Sequence, residues 1–439
     1  MKQVGGALRR FARIVAALWF HHTERDGAML PAGPVLLVLN HPNGLLDPLL
    51  VAALLERPPR FVAKAALWKA LPLRPFLAFF RAIPVQRAQD AGTNGAEREA
   101  ALAATFSEVF ATFDRGEILG IFPEGISHAG HDLAPLKTGP ARMLLGASTR
   151  PALVPAGLVY GDRGVFRHSA LLRVGAAIET SDMQGTEADT VLALTARIRD
   201  ALYPLTLHAA DAESYRLAQD LAWLLAEGPR ARADLAAFHR RTRALQDWLD
   251  SLEQEERTTV CGEVDKAKRW LGQKGLRPDQ VGHTYPIDES LRWIPKACGR
   301  ILLAALCMPA GLLHWPAYRL VGALSRRGDE DLDVVATTKL LAGAVLLPLW
   351  SAGLLLLGWL LLGPTAAWMW VIAVPAAILS LPVADALRED LHAVRGWLSR
   401  NDPAVPELLE ARTRLLEAAP QLAEFGPAEA PFRRPSGRD

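Results

Sequence analysis

Two long apolar runs near the carboxyl end constrain the fold of this chain more than any other feature. Leu340 to Leu362 and Thr365 to Val383 contain no charged residue, and only Gly363 and Pro364 separate them. Each run is long enough to cross about 30 Å of hydrocarbon as a helix. A buried helical hairpin in a soluble protein is the alternative, but its core would have to enclose two adjacent runs of this length. The sequence therefore predicts a transmembrane hairpin.

A third apolar segment, Ile301 to Leu324, is interrupted by two prolines, His314 and Arg319. We interpret it as re-entrant or interfacial, within a membrane region that covers residues 298–390. Positive residues flank the hairpin on both sides, with Arg326, Arg327 and Lys339 before it and Arg388, Arg395 and Arg400 after it. Positive flanks stay on the cytoplasmic side of a membrane. We therefore expect a multi-pass integral membrane protein with both flanks in the cytoplasm.

The first 29 residues predict a different kind of membrane contact. Arg9, Arg10 and Arg13 lie among apolar residues at helical spacing, which is typical of an amphipathic helix on an anionic membrane surface. A helix packed on a globular core is the alternative, and the pattern favours neither. The formal net charge of +2 gives no strong field for binding nucleic acid. The three cysteines show no CxxC spacing, so we expect no metal site and no disulfide framework.

Short apolar runs alternate with helical stretches between residues 30 and 184. The candidate strands are Val35–Leu39, Arg60–Ala63, Ala82–Val85, Ile118–Phe122, Ala152–Val159 and Leu171–Ile178. This alternation predicts an α/β domain with a mixed central sheet and flanking helices. Residues 185–297 predict a helical subdomain. Residues 391–439 predict an amphipathic helix followed by a disordered tail.

The first group of residues that could carry chemistry follows the strand Val35–Leu39. His41 and Asp47 lie in one loop, and Gly44 between them allows the loop to bend back. A histidine there can act as a general base, and a nearby carboxylate can orient its ring. The alternative is that His41 is an ordinary loop residue and that Asp47 caps a helix that begins near Pro48.

Three other segments carry further candidates. The segment Phe122–His128 contains Glu124 and a glycine turn that suits a phosphate or an oxyanion. Arg87 follows a short strand and Lys137 precedes a helix, where each could bind an anion. Ser127 lies in a near match to the nucleophile elbow of serine hydrolases, but Ala129 replaces the second glycine of that motif. A serine hydrolase would also leave the other candidates unexplained.

Taken in order, these segments resemble the glycerolipid acyltransferase family, which includes glycerol-3-phosphate and lysophosphatidate acyltransferases. The match spans about residues 30 to 180. The usual family motif has four residues between histidine and aspartate, whereas five lie between His41 and Asp47. Ser127 also stands where many members have an arginine. In both departures the chain resembles the fungal-type branch of glycerol-3-phosphate and dihydroxyacetone phosphate acyltransferases.

The resemblance implies a glycerolphosphate acyltransferase-like fold and an O-acyltransferase in phospholipid synthesis. His41 would deprotonate the acceptor hydroxyl, and Asp47 would orient His41. The segments that would hold the acceptor contribute Asn43, Arg87, Glu124, Gly125, Ser127, His128 and Lys137. The donor would be acyl-CoA or acylated acyl carrier protein, and the resemblance implies no other cofactor and no metal. Because such a donor is cytosolic, the catalytic domain would lie on the cytoplasmic side. A lysophosphatidate acyltransferase is the alternative, and a non-enzymatic membrane scaffold is less favoured because His41 and Asp47 are both retained.

Overall fold

The computed structural model describes residues 2–85, 95–128, 130, 132–209, 211–226, 234–280, 287–326 and 332–418. The chain divides into two compact units. One unit comprises residues 1–207 and 298–386, and the other comprises residues 208–297 and 387–439.

The first unit is built on a seven-stranded sheet with the order β1-β7-β6-β2-β5-β3-β4. The strands are β1 Phe20–Gly27, β2 Val35–Leu39, β3 Arg60–Lys64, β4 Ile83–Val85, β5 Ile118–Ile121, β6 Ala152–Tyr160 and β7 His168–Val174. All neighbouring pairs are parallel except β6 with β7. The predicted mixed sheet is thus confirmed.

Strand β2 lies in the middle of the sheet, and all five of its residues are buried. Its side chains alternate between two apolar cores, one for each face of the sheet. A strand covered on both faces needs apolar residues at every position, which explains the unbroken run in the sequence. The covering helices of this unit are α1 Lys2–Trp19, α2 Leu46–Leu54, α3 Arg74–Phe79, α4 Gly95–Asp114, α5 Gly139–Leu145 and α6 Ala188–Leu202.

The predicted helix over residues 1–29 is wrong in its second half. Helix α1 ends at Trp19, and β1 follows at once as the edge strand that pairs with β7. The sequence Phe20–Gly27 is polar and mostly half-buried, so it lacks the apolar alternation that marks a strand in a sequence. The buried residues Leu8, Ala12 and Ala16 of α1 belong to the same core as α2, while Phe11 and Ile14 stay exposed.

Three long apolar helices follow in the chain: α10 Ile287–Leu324, α11 Leu332–Leu362 and α12 Thr365–Ser399. All three are long and apolar enough to cross a membrane. Residues 301–324 lie within α10, which is one continuous helix, so this segment does not turn back on itself. Pro309 and Pro316, which lie in this segment, each remove a single backbone donor, which an apolar helix tolerates. Gly363, with φ of 68°, makes the turn between α11 and α12.

The second unit contains α7 Ala212–Leu224, α8 Leu235–Ser251, α9 Gln254–Lys274 and α13 Val405–Ala418, which share one apolar core. The predicted helical subdomain therefore begins too early at residue 185. Helix α6 contributes Val191, Leu194 and Ile198 to the core of the sheet in the first unit. Its apolar face matches the sheet, and a helical periodicity alone does not reveal which partner covers it. The tail predicted to be disordered lies outside the described residues.

Candidate active site

Three neighbouring parallel strands end at the same edge of the sheet, and each continues into a loop with polar residues. Strand β2 leads into His41, β5 leads into Glu124, and β6 ends at Tyr160. Since β2 lies between β5 and β6, the loop with His41 is flanked by the other two. The carboxyl ends of parallel strands are the usual place for ligand sites in α/β sheets.

His41 and Asp47 are joined by a hydrogen bond of 2.8 Å between Nδ1 and Oδ2. The Asp47 side chain is fully buried, whereas 19% of the His41 side chain is exposed. A carboxylate at Nδ1 favours the tautomer that carries the proton on Nδ1. Nε2 is then the nitrogen that can accept a proton from a molecule in the solvent-accessible part of the site.

Two further donors fix the Asp47 carboxylate. The backbone N–H of Asn43 donates to Oδ2 over 2.8 Å, and the Tyr160 hydroxyl donates to Oδ1 over 2.6 Å. Burial raises the pKa of Tyr160 well above its usual value, and the charge of Asp47 adds to this effect. The phenol therefore keeps its proton and remains a donor. These two donors therefore hold the Asp47 carboxylate in place against the His41 ring.

The His41 ring lies flat on the Phe122 ring, with 4.0 Å between centroids and 9° between planes. Phe61 of β3 stacks on the other side of this group, 5.5 Å from Phe122. Gly120 of β5 makes room for Phe61, since a Cβ at that position would lie 2.5 Å from its ring. The aromatic stack thus restricts the rotation of the His41 ring.

Glu124 connects the loops rather than facing solvent. Its Oε1 accepts the backbone N–H of His41 over 2.8 Å, and its Oε2 accepts the backbone N–H of Ala134 over 2.8 Å. The His128 ring contacts Oε2 through Nε2, and its Nδ1 accepts the N–H of Gly130 over 3.1 Å. Only 2% of Glu124 is exposed. Glu124 therefore holds the loops around His41 together, and the assignment of Glu124 and His128 to acceptor binding stays a prediction.

Asn43 also connects parts of the site. It is fully buried, and its side-chain amide donates to the backbone oxygen of Arg163 over 3.1 Å. Gly125 has φ of 74°, a conformation that glycine adopts freely, and its N–H donates to the oxygen of Phe122 over 3.0 Å. That amide is therefore not available to an oxyanion, although the turn itself is present.

The structure describes one of the two cations predicted to bind the acceptor. Lys137 has an exposed side chain, and its backbone N–H donates to Pro123 over 2.8 Å, which places it beside the Glu124 loop. Arg87 lies outside the described residues. No group of three or more His, Cys, Asp or Glu side chains in the described part of the chain could hold a metal ion.

Ser127 does not lie on a nucleophile elbow. That motif requires a helix directly after the serine, but the described residues between β5 and α5 form no helix. Ser127 is half-buried in this irregular segment. The local backbone therefore argues against the serine hydrolase alternative.

Several contacts of the site were absent from the sequence reasoning. Asn40 bridges to β6 through two hydrogen bonds with the backbone of Leu158, of 3.0 and 2.7 Å. Arg163 donates to the backbone oxygens of His128 and Gly130 over 3.2 Å. The position of Asn40 directly before His41 could have indicated its role. Arg163 gave no such indication, because only the pairing of the strands brings the loop after β6 to this edge.

The chain is similar to several known proteins. Residues 22–159 match the model of the family described as Acyltransferase. Glycerol-3-phosphate O-acyltransferase 2 of Saccharomyces cerevisiae (strain ATCC 204508 / S288c) is 29% identical over 272 residues, and glycerol-3-phosphate O-acyltransferase 1 of the same yeast is 23% identical over 274 residues. Each alignment covers 56% of this chain but only 36% of the yeast protein. The chain thus spans about a third of the length of these relatives.

A solved structure is also similar. It is that of the 1-acyl-sn-glycerophosphate (LPA) acyltransferase PlsC from Thermotoga maritima, with a TM-score of 0.35 and 14% identity, covering 45% of this chain and 77% of that chain. The family match relates residues 22–159 to acyltransferases and covers less than half of the chain. Within that class, the yeast relatives confirm the predicted resemblance to the fungal glycerol-3-phosphate acyltransferases.

Proposed function

We propose that the chain is an O-acyltransferase that moves a fatty acyl group from a thioester donor to a hydroxyl of glycerol 3-phosphate. The observation that carries this proposal is the His41–Asp47 pair at the carboxyl edge of the sheet. Asp47 engages Nδ1, so Nε2 can serve as the general base. The names of the yeast relatives favour glycerol 3-phosphate over lysophosphatidate, and dihydroxyacetone phosphate is the second acceptor to test.

The reaction needs one base and no covalent intermediate with the protein. His41 Nε2 takes the proton of the acceptor hydroxyl while the oxygen attacks the thioester carbonyl carbon. The C–S bond then breaks, and the leaving thiolate receives the proton from the imidazolium. The ester and a free thiol are the products, and His41 returns to its starting state. A positioned general base contributes about 10² to 10⁴ in rate.

The surroundings of Asp47 fit this cycle. When His41 becomes positively charged, a buried carboxylate 2.8 Å from Nδ1 stabilises that charge. Tyr160 and the Asn43 amide keep the carboxylate oriented. For the acceptor phosphate we propose Lys137 and Arg87 as binding cations, since charge-assisted hydrogen bonds are the strong contacts to phosphate.

The decisive experiment is an acyl-transfer assay on the full chain, purified and reconstituted in lipid nanodiscs. Glycerol 3-phosphate, dihydroxyacetone phosphate and lysophosphatidate are offered in parallel, each with acyl-CoA and with the same acyl chain on acyl carrier protein. We expect ester formation with glycerol 3-phosphate, absent in His41→Ala. A preference for lysophosphatidate would reassign the acceptor, and no transfer to any acceptor would refute the function.

We also propose that α11 and α12 form a transmembrane hairpin, while α10 lies in the interface. Two contacts at the ends of the hairpin support this topology. Lys339 of α11 donates to Gly164 over 2.6 Å, and Arg167 pairs with Asp385 of α12 over 2.6 Å. Both ends of the hairpin therefore meet the loop between β6 and β7. Because α11 starts and α12 returns beside the catalytic domain, the hairpin would cross the membrane twice.

Reporters of membrane sidedness test this topology. One reporter is inserted between residues 326 and 331, and the other is fused after residue 400. We expect both on the cytoplasmic side, where an acyl thioester is available to the catalytic domain. Reporters on opposite sides would exclude the hairpin, and an external 326–331 segment would exclude the interfacial position of α10. The amphipathic helix α1 is proposed to rest on the same membrane surface.

A further inference from the structure

The beginning of α11 is bonded directly to the loop that carries the base. The Thr337 hydroxyl oxygen accepts the backbone N–H of Leu45 over 3.1 Å. Leu45 lies two residues before Asp47 and immediately precedes α2, so its N–H belongs to the amide groups at a helix start that need an acceptor outside the helix. A residue 292 positions along the chain thus supplies the acceptor for this amide.

Two more hydrogen bonds turn this contact into a closed network. Asn43, in the same loop, donates to the oxygen of Arg163 over 3.1 Å, and Lys339 donates to the oxygen of Gly164 over 2.6 Å. The His41 loop, the loop between β6 and β7, and the first turns of α11 are therefore bonded pairwise. The neighbouring Ala336 is fully buried and belongs to the core that contains α2, so this end of α11 is packed as well as bonded.

We propose that Thr337 is a positioning residue for the His41–Asp47 pair, so that the first turns of the apolar helix α11 complete the active site of the acyltransferase domain. This inference rests on the proposed function. The Asn43 amide that orients Asp47 and the Leu45 amide held by Thr337 lie in one five-residue connection. Releasing Leu45 frees that connection to move, and the Asp47 oxygen can then leave its place against His41.

The test uses three substitutions in the full chain in nanodiscs. Thr337→Val keeps the shape of the side chain but removes the acceptor. Thr337→Ser keeps the hydroxyl and should restore wild-type behaviour. Thr338→Val is the matched control, because the Thr338 side chain makes no hydrogen bond within the described part of the chain. We expect Thr337→Val to lower kcat about tenfold with little change in KM, because the freed connection orients Asp47 less well and a part-buried amide that loses its acceptor costs about that order of stabilisation.

Amide hydrogen exchange gives a second readout that does not depend on activity. In Thr337→Val, exchange should become faster in peptides that cover residues 41–47 and stay unchanged in peptides that cover β2. Faster exchange in both would indicate a general loss of stability and would overturn the positioning role. Unchanged kcat and unchanged exchange at 41–47 would overturn it too. If the wild type transfers no acyl group, the proposed function fails, while the exchange measurement still decides whether α11 holds the loop.

Discussion

At the amino edge of the sheet, three arginines share two carboxylates. Arg60 contacts Glu108 over 2.6 Å, Arg81 contacts Glu117 over 2.9 Å, and Arg115 contacts both carboxylates over 3.2 Å. These side chains are mostly part-exposed, and each charge meets opposite charges. Such a network fixes the ends of strands, but it leaves no ionisable group free to exchange a proton with a ligand.

At the carboxyl edge of the same sheet, two carboxylates are deeply buried. Asp47 and Glu124 are at most 2% exposed and receive their hydrogen bonds largely from neutral donors. His41 is the group that keeps one nitrogen accessible. Neutral donors hold a carboxylate in place without cancelling its charge, so the charge stays available to an imidazolium that forms beside it.

The comparison shows that charge alone does not mark the candidate site. Both edges carry several ionisable residues, but the charges of the amino edge pair with one another, whereas the His41 side chain at the carboxyl edge is partly exposed. The deciding feature is which partners satisfy each carboxylate. We therefore expect substitutions at the carboxyl edge to lower turnover and substitutions at the amino edge to lower stability.

The largest effect is expected at His41. His41→Ala should lower kcat by about 10² to 10⁴, because it removes the general base, and Asp47→Asn should be severe because an amide cannot stabilise the imidazolium. Steady-state rates with glycerol 3-phosphate, together with thermal unfolding, would measure both effects. His22→Ala, which changes a histidine on the edge strand β1, is the matched control. Near wild-type turnover in folded His41→Ala would end the proposed mechanism.

A smaller effect is expected at Tyr160. Tyr160→Phe removes the hydroxyl that donates to Asp47 Oδ1 and should lower kcat about tenfold while KM stays similar. Because burial and Asp47 raise the pKa of Tyr160 well above its usual value, the phenol stays protonated at neutral pH. The ratio of wild-type to variant kcat should therefore be constant between about pH 6 and about pH 9. A ratio that falls within this range would mean that the phenol titrates and is not a permanent donor.

Lys137 offers a test of acceptor binding at the same edge. Lys137→Ala should raise the KM for glycerol 3-phosphate about threefold, because an exposed cation contributes modestly to binding a phosphate. The KM for the acyl donor should change less. Lys137→Arg keeps the charge and serves as the control. A change confined to the donor KM would assign Lys137 to the donor instead.

The core of the sheet and the position of the His41–Asp47 pair could be predicted because their signals are local. An unbroken apolar run marks a strand buried on both faces, and a histidine and an aspartate directly after it lie at the edge where sites form. The edge strand β1 gave no such signal. Its residues are polar and half-buried, and it is a strand because β7 offers a partner.

The residues that contact the His41–Asp47 pair and its loop could not be predicted, because they are distant in the sequence. Tyr160 ends an apolar strand and looks like a core residue, but its hydroxyl meets Asp47, 113 positions away. Thr337 lies near the beginning of the apolar helix α11, and its sequence context indicates only the end of a membrane-spanning segment. Both roles depend on which elements the fold brings together. Residue type and spacing predicted the contact between His41 and Asp47 but not the groups that hold this pair.

The smallest effect on turnover is expected at the amino edge. Glu117→Gln should leave kcat unchanged, because Glu117 lies before β5 and away from His41. Burial raises the pKa of Glu117, but the hydrogen bonds and charges of Arg81 and Arg115 outweigh burial and hold the pKa below its usual value. A carboxyl whose folded pKa is depressed stabilises the fold above its unfolded pKa, about 4.3, and this stabilisation is lost as pH falls through the folded pKa.

The Glu117→Gln protein should therefore unfold a few degrees lower than wild type near neutral pH, since partly exposed ion pairs contribute about 1 kcal/mol or less. The difference in Tm should shrink once the pH falls below about 4, because wild-type Glu117 is then losing its own charge. Glu410→Gln is the control, since Glu410 is exposed and has no ion pair within the described part of the chain. A large fall in kcat for Glu117→Gln would show that the two edges are coupled. A Tm difference that grows in acid would show that Glu117 is held in its protonated form.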